Sequence, residues 1–206
     1  MGMEPFNAAS NLIFIVCAAV CAALLFRDWA KLQTKSRLVL LSLSTLIMLI
    51  GMGSAAFHFK PTHTTHAFDL IPIGLFILLA LISLLQKGFK LSWPIIVAIA
   101  SVWSCFTAVA STAPQFLAGS LVYVPTLLLL LCMAVVNPQY NRKLWAVFSF
   151  FGMGLLIRAI DLPLCDSFSM GTHWLWHVCT ALAALQSYLL ILHLCRTNDT
   201  NATASA

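Results

Sequence analysis

The chain has 206 residues, of which 61% are hydrophobic and only 8% charged, with a mean hydropathy of +0.96. A soluble domain of this size carries about 25% charged residues, so the composition excludes an ordinary water-soluble fold and points to a polytopic membrane protein. The net charge of +5 does not point to nucleic acid, because the basic residues sit in short connections beside apolar segments, where Lys and Arg set membrane topology.

Apolar windows long enough to cross about 30 Å of hydrocarbon at about 1.5 Å per residue fall at 8–26, 38–57, 68–86, 91–110, 119–136, 144–160 and 174–194. They predict an all-α, seven-transmembrane-helix bundle forming a single domain over residues 1–196. Only Glu4 is charged ahead of the first window, which lacks a basic n-region and therefore reads as a retained helix and not as a cleaved signal peptide. A basic connection, 27–37, leads to the second window, which closes on Gly51-Met-Gly-Ser-Ala-Ala-Phe-His58. The connection 59–67 carries His63 and His66, expected to be solvated loop residues, and Asp69 opens the third window, where an N-cap is one reading of it. The connections 86–90 and 137–143 are basic, 111–118 is neutral and 161–172 is acidic. The seventh window opens on His173-Trp-Leu-Trp-His177, and the small, polar residues 197–206 are expected to form a disordered tail.

Seven cysteines form no CxxC pair. Cys17, Cys21, Cys105, Cys132, Cys179 and Cys195 lie in or at the ends of apolar runs and are expected to be buried thiols acting as small hydrophobes. Cys165 falls in a polar connection without an evident partner, so no disulfide framework is expected. With the N-terminus outside and the C-terminus cytoplasmic, nine of the eleven Lys and Arg residues fall on the cytoplasmic side, leaving only Lys60 and Arg158 outside.

Polar groups at the ends of apolar windows are costly in a membrane and mark candidate function. In the orientation just given, His58, Asp69, His173 and His177 all approach the outer face. His173 and His177 are four apart and share a helix face, as do Ser54 and His58. Three histidines from two helices form a His₃ set that leaves a zinc ion one open position for water. Asp69 is then placed to orient that water and carry its proton. The pattern is not HExxH, since Trp174 follows His173. Taken alone, Ser54 reads as a small helix-packing residue beside Gly51 and Gly53.

The sequence Gly-x-Gly-Ser-x-x-Phe-His58, then Asp69 followed by Pro72, then His173-x-x-Trp-His177, resembles the alkaline ceramidases. These belong to a superfamily of seven-helix membrane hydrolases that includes progestin and adiponectin receptors and lipid-remodelling phospholipases. Glu4-x-x-Asn-x-x-Ser-Asn-Leu-Ile-Phe, Arg158-x-x-Asp161 and Cys165-Asp166 extend the resemblance from Glu4 to Cys195. It implies zinc ligands at His58, His173 and His177, a catalytic aspartate at Asp69, and a serine supporting the amide oxyanion at Ser54. It also implies hydrolysis of ceramide to a sphingoid base and a fatty acid, with the acyl chain lying in the bundle. The N-out topology agrees with ceramidases, whereas the adiponectin-receptor branch is inverted. Only three residues precede Glu4, and the acidic calcium-binding segment of the eukaryotic ceramidases has no counterpart. One carboxylate does not satisfy a cation wanting 6–8 oxygens, so calcium independence is expected, and the short loops point to a bacterial inner membrane with the site near its outer, periplasmic face. The alternatives are a zinc esterase or phospholipase of the same superfamily, and a lipid-binding receptor whose structural zinc takes a fourth ligand, with His63 and His66 the nearest candidates.

Overall fold

The computed structural model describes residues 4–137, 139–165 and 171–204, and Asp166 lies outside them. Every regular element among the described residues is helical. A short helix α1 (Pro5–Ser10) and α2 (Leu12–Asp28) make the first span, followed by α3 (Thr34–Phe59), α4 (His63–Lys87) and α5 (Trp93–Ser111). A 3-10 segment (Phe116–Tyr123) continues into α6 (Val124–Val136) as the fifth span, and α7 (Asn141–Cys165) and α8 (His173–Ala204) complete the bundle. Seven spans are thus long and apolar enough to cross a bilayer, making this an integral, multi-pass membrane protein.

Helices satisfy their own backbone groups, which hydrocarbon demands, and lipid is as apolar as a protein core, so hydrophobic side chains face both ways. On α5 only Ile96 is buried, while Val97, Val102, Phe106 and Val109 are exposed on the outer surface. The same reasoning corrects the expectation for two cysteines. Cys105 and Cys132 are exposed, because a thiol facing lipid meets an environment as apolar as the interior. The core is built by Leu25 of α2, Leu40, Leu43 and Ile47 of α3, and Tyr188 and Ile191 of α8. The Tyr188 hydroxyl, which would be costly there without a partner, donates to the Cys21 carbonyl at 2.9 Å.

Close approach of α3 and α4 fixes the site. A Cβ added at Gly53 would lie 2.0 Å from the Phe68 carbonyl oxygen and 3.1 Å from the Asp69 nitrogen. Only glycine allows this helix contact, which sets Asp69 against Ser54. Gly53→Ala is expected to cost about 3 kcal/mol, the upper end for overpacking, because the obstruction is backbone and has no rotamer to change. Gly74→Ala, whose Cβ would meet nothing within 4 Å, is the neutral control. Thermal unfolding of the two variants in detergent checks the difference.

Four sequence readings are corrected. The tail does not become disordered at 197, since α8 continues to Ala204. Buried Asp199 accepts hydrogen bonds from the Gln33 backbone nitrogen at 2.8 Å and from Ser36 Oγ at 3.1 Å, and Arg196 pairs with Asp28. These tertiary bonds hold a segment whose composition alone favours disorder. Next, the connection between α3 and α4 is shorter than 59–67, because α4 already starts at His63; His63 and His66 are exposed helical residues. Asp69, in turn, is not a helix cap. Thr62 caps α4 through a reciprocal pair of bonds with Thr65, and Asp69 lies in the second turn. Cys165, read from sequence as part of a connection, is the last residue of α7.

Candidate metal centre

Helix turns at one end of the bundle deliver the site. His58 comes from the last turn of α3 and Ser54 from one turn earlier, His173 and His177 come from the first two turns of α8, and α1 packs against both helices. The imidazole rings lie 5.1 Å (His58 to His173), 5.0 Å (His58 to His177) and 4.8 Å (His173 to His177) apart between centroids. One donor nitrogen from each lies within 4.8 Å of the others. A tetrahedral ion with bonds of about 2.0–2.1 Å separates its ligands by roughly 3.4 Å, so small side-chain movements bring the three nitrogens to a common ion.

The surroundings of each ring show which nitrogen is available. Glu4 Oε2 lies 2.8 Å from His58 Nδ1, and an ionised carboxylate only accepts, so that nitrogen carries the proton. Ser10 Oγ donates to the Asn7 carbonyl at 2.8 Å and lies 2.7 Å from His177 Nδ1. Its single proton being used, the hydroxyl accepts from Nδ1–H. Asp161 Oδ2 faces His173 Nδ1 at 3.9 Å, an ion-pair and not a hydrogen-bond distance. His58 and His177 therefore carry their protons on Nδ1, which leaves the Nε2 lone pair of each available to an ion. This is the outer-shell arrangement that orients metal-ligating histidines. The donor set fits a divalent cation that favours nitrogen ligands.

Asn7 Nδ2 also donates to Glu4 Oε2 at 2.8 Å, and the Glu4 nitrogen donates to the His58 carbonyl at 3.1 Å. Burial opposes ionisation of Glu4, but the hydrogen bonds from Asn7 and His58 and the nearby imidazoles outweigh it, holding its carboxyl below the usual glutamate range. Ser54 Oγ lies 3.5 Å from His177 Nε2. Asp69 interacts with Ser54 and borders the same cavity. Asp161 accepts from the Thr172 backbone nitrogen and from its hydroxyl, which fixes the chain just ahead of His173. The structure thus brings together His58, His173, His177, Ser54 and Asp69. His63 is absent from the cavity wall, while His66 borders it, tilted against Phe57 with ring centroids 5.1 Å apart, and neither joins the three-histidine cluster.

The residues that orient the rings, Ser10 and Asn7 above all, received no role from the sequence. Their signal was the spacing of Glu4, Asn7 and Ser10, each three apart and thus on one helix face, in a segment with little else polar.

From this cluster a cavity of about 800 Å³ runs into the bundle, within the range of about 300–1,000 Å³ typical of ligand pockets. Both Asp69 and Leu84 border it, and fifteen residues of one helix span about 22 Å. Its walls change from Glu4, His58 and Asp69 at the histidine end to Phe76, Leu81 and Met133 deeper in. A polar end joined to an apolar channel longer than half the roughly 30 Å hydrocarbon thickness suits a lipid with one chain inserted.

No curated protein matches the chain at a significant level. A family model described as Ceramidase matches residues 2–205. The chain therefore belongs to the ceramidase family, a family of hydrolases acting on amides.

Proposed function

We propose that the protein is a zinc-dependent intramembrane amidase that hydrolyses the N-acyl bond of ceramide, releasing a sphingoid base and a free fatty acid. The observation that carries this reading is the convergence of His58, His173 and His177, two of them hydrogen-bonded through Nδ1 to Glu4 and Ser10, at the polar end of a long apolar cavity. Zinc held by these three nitrogens would supply Lewis acidity and lower the pKa of a water molecule toward neutrality.

The chain's own residues do the rest. Glu4 and Ser10 fix the ring planes of His58 and His177, and Asp161, through Thr172, fixes the chain ahead of His173. The apolar walls take the acyl chain and exclude bulk water, so that the amide rests beside Ser54 and Asp69. Asp69 accepts the proton of the attacking water and returns it to the departing nitrogen. Ser54 donates to the oxygen of the tetrahedral intermediate. Incubation of purified protein with a ceramide and with a phospholipid of the same acyl chain tests the reading. Release of fatty acid from ceramide supports it, and release from the ester alone overturns it in favour of an esterase.

Calcium has no place in this scheme, because Glu4 is engaged with His58 and Asn7. Ceramide hydrolysis is expected to persist in a calcium-selective chelator and to be lost in one that strips zinc. Assays with each chelator, and re-addition of each metal, check this.

The site is further proposed to face the periplasm of a bacterial inner membrane. Nine of the eleven Lys and Arg residues gather at the opposite end, which the positive-inside rule places in the cytoplasm. A reporter fused at the C-terminus is expected to read cytoplasmic, and a cysteine at Thr64 to be labelled by an impermeant reagent from outside.

A further inference from the structure

Arg158 is a charge in the membrane domain that the amidase scheme leaves unused. It lies one turn before Asp161 on α7 and borders the cavity at the histidine end. Its guanidinium carbon stands 5.3 Å from the ring centre of Trp176 and 5.8 Å from that of Tyr123. Stacking occupies the faces of a guanidinium and leaves its N–H donors, which lie in the plane, available.

Among the described residues, no hydrogen-bond partner meets the buried Nε of Arg158, and no carboxylate lies within ion-pair distance of its guanidinium. Asp161, the nearest carboxylate on the same helix, is committed to Thr172 and His173. A permanent charge held by two aromatic faces at the edge of a lipid-sized cavity, with an unpartnered in-plane Nε, is placed to receive an anion from that cavity. Ionisable groups inside membrane segments normally pair or face such cavities.

We propose that Arg158 binds an oxyanion of the lipid in this cavity, either a charged head group on the N-acyl substrate or the carboxylate of the released fatty acid. The proposal rests on the amidase reading only for the identity of the lipid. It makes N-acyl lipids with an anionic head, such as N-acyl amino acids, a substrate class to be compared with neutral ceramide.

The test uses the zinc-loaded protein in detergent as wild type, Arg158→Gln and Arg158→Lys, with zinc content measured for each. Tryptophan fluorescence, to which Trp176 contributes, follows titration with a long-chain fatty acid and with the alcohol of equal length. Hydrolysis is measured for N-acylglycine and for N-acylethanolamine of the same chain. In Arg158→Gln the charged ligands are expected to weaken by roughly 10–100-fold, the range for hydrogen bonds to charged groups, while the neutral ones change less than about twofold. Arg158→Lys, which keeps charge but not the planar fork, should fall between. Loss confined to the fatty acid identifies the product as the anion, and a raised KM for N-acylglycine identifies the head group. Equal losses for charged and neutral ligands, or none, overturn the proposal and leave Arg158 as a packing residue. If the wild type hydrolyses no amide, the amidase reading fails while the fluorescence titration still decides the role of Arg158.

Discussion

Alanine at His173 or His177 is expected to leave the purified protein without bound zinc and without hydrolase activity, against about one zinc per chain in the wild type. A metal whose ligands are neutral imidazoles needs all three, since one lost ligand leaves two donors and two open positions. The two side chains differ in setting. His177 is held at Nδ1 by Ser10 at 2.7 Å, whereas His173 faces Asp161 at 3.9 Å. Alanine at Ser10 removes only the partner of one ring and is expected to weaken zinc binding by about 10–100-fold, the usual effect of losing an outer-shell group, without abolishing it. Metal analysis after dialysis against a buffered chelator orders the three variants. Full occupancy in both histidine variants would reduce the cluster to packed imidazoles.

What the sequence made legible here, and what it hid, divides along a physical line. The seven spans were readable because hydrocarbon imposes one length and one composition on any helix that crosses it. His173 and His177 declare their shared helix face by spacing alone, and Gly53 marks a helix contact that the structure places against Phe68. The end of α8 was hidden. Asp199 is anchored by Gln33 and Ser36, partners more than 160 residues away, and local composition carries no trace of them. The start of α4 was hidden for a related reason: Thr62 and Thr65 form the cap, so the helix begins in a polar stretch that a hydropathy window assigns to the loop. Ser10 and Asn7 remained without a role because ring orientation is a matter of hydrogen-bond direction between elements. Arg158 entered the sequence reading as a basic residue and as part of the Arg158-x-x-Asp161 stretch, without a role of its own. Its two aromatic neighbours, Tyr123 and Trp176, come from distant segments that meet only in the folded bundle.

Asparagine at Asp69 is expected to lower turnover by about 10²–10⁴-fold, the contribution typical of a general acid–base group, while zinc content and thermal stability stay near wild type. The separation is possible because Asp69 has no structural duty that asparagine would fail. The cap of α4 belongs to Thr62, and Asp69 lies in the second turn, beside Ser54, where the Gly53 contact holds the backbone in place. Asparagine keeps the size and an acceptor oxygen of the side chain and loses only the capacity to take a proton. Ser54→Ala, which removes one of several groups facing the reacting oxygen, is expected to cost less, roughly 10²-fold. Single-turnover rates on zinc-matched samples distinguish the two effects from any difference in loading. Near-normal hydrolysis by the asparagine variant would mean that the proton goes elsewhere, and Asp161, beside His173, would be the next acceptor to test. Loss of zinc as complete as in the histidine variants would instead make Asp69 a ligand, and the three-nitrogen set would have to be replaced by one that includes its carboxylate.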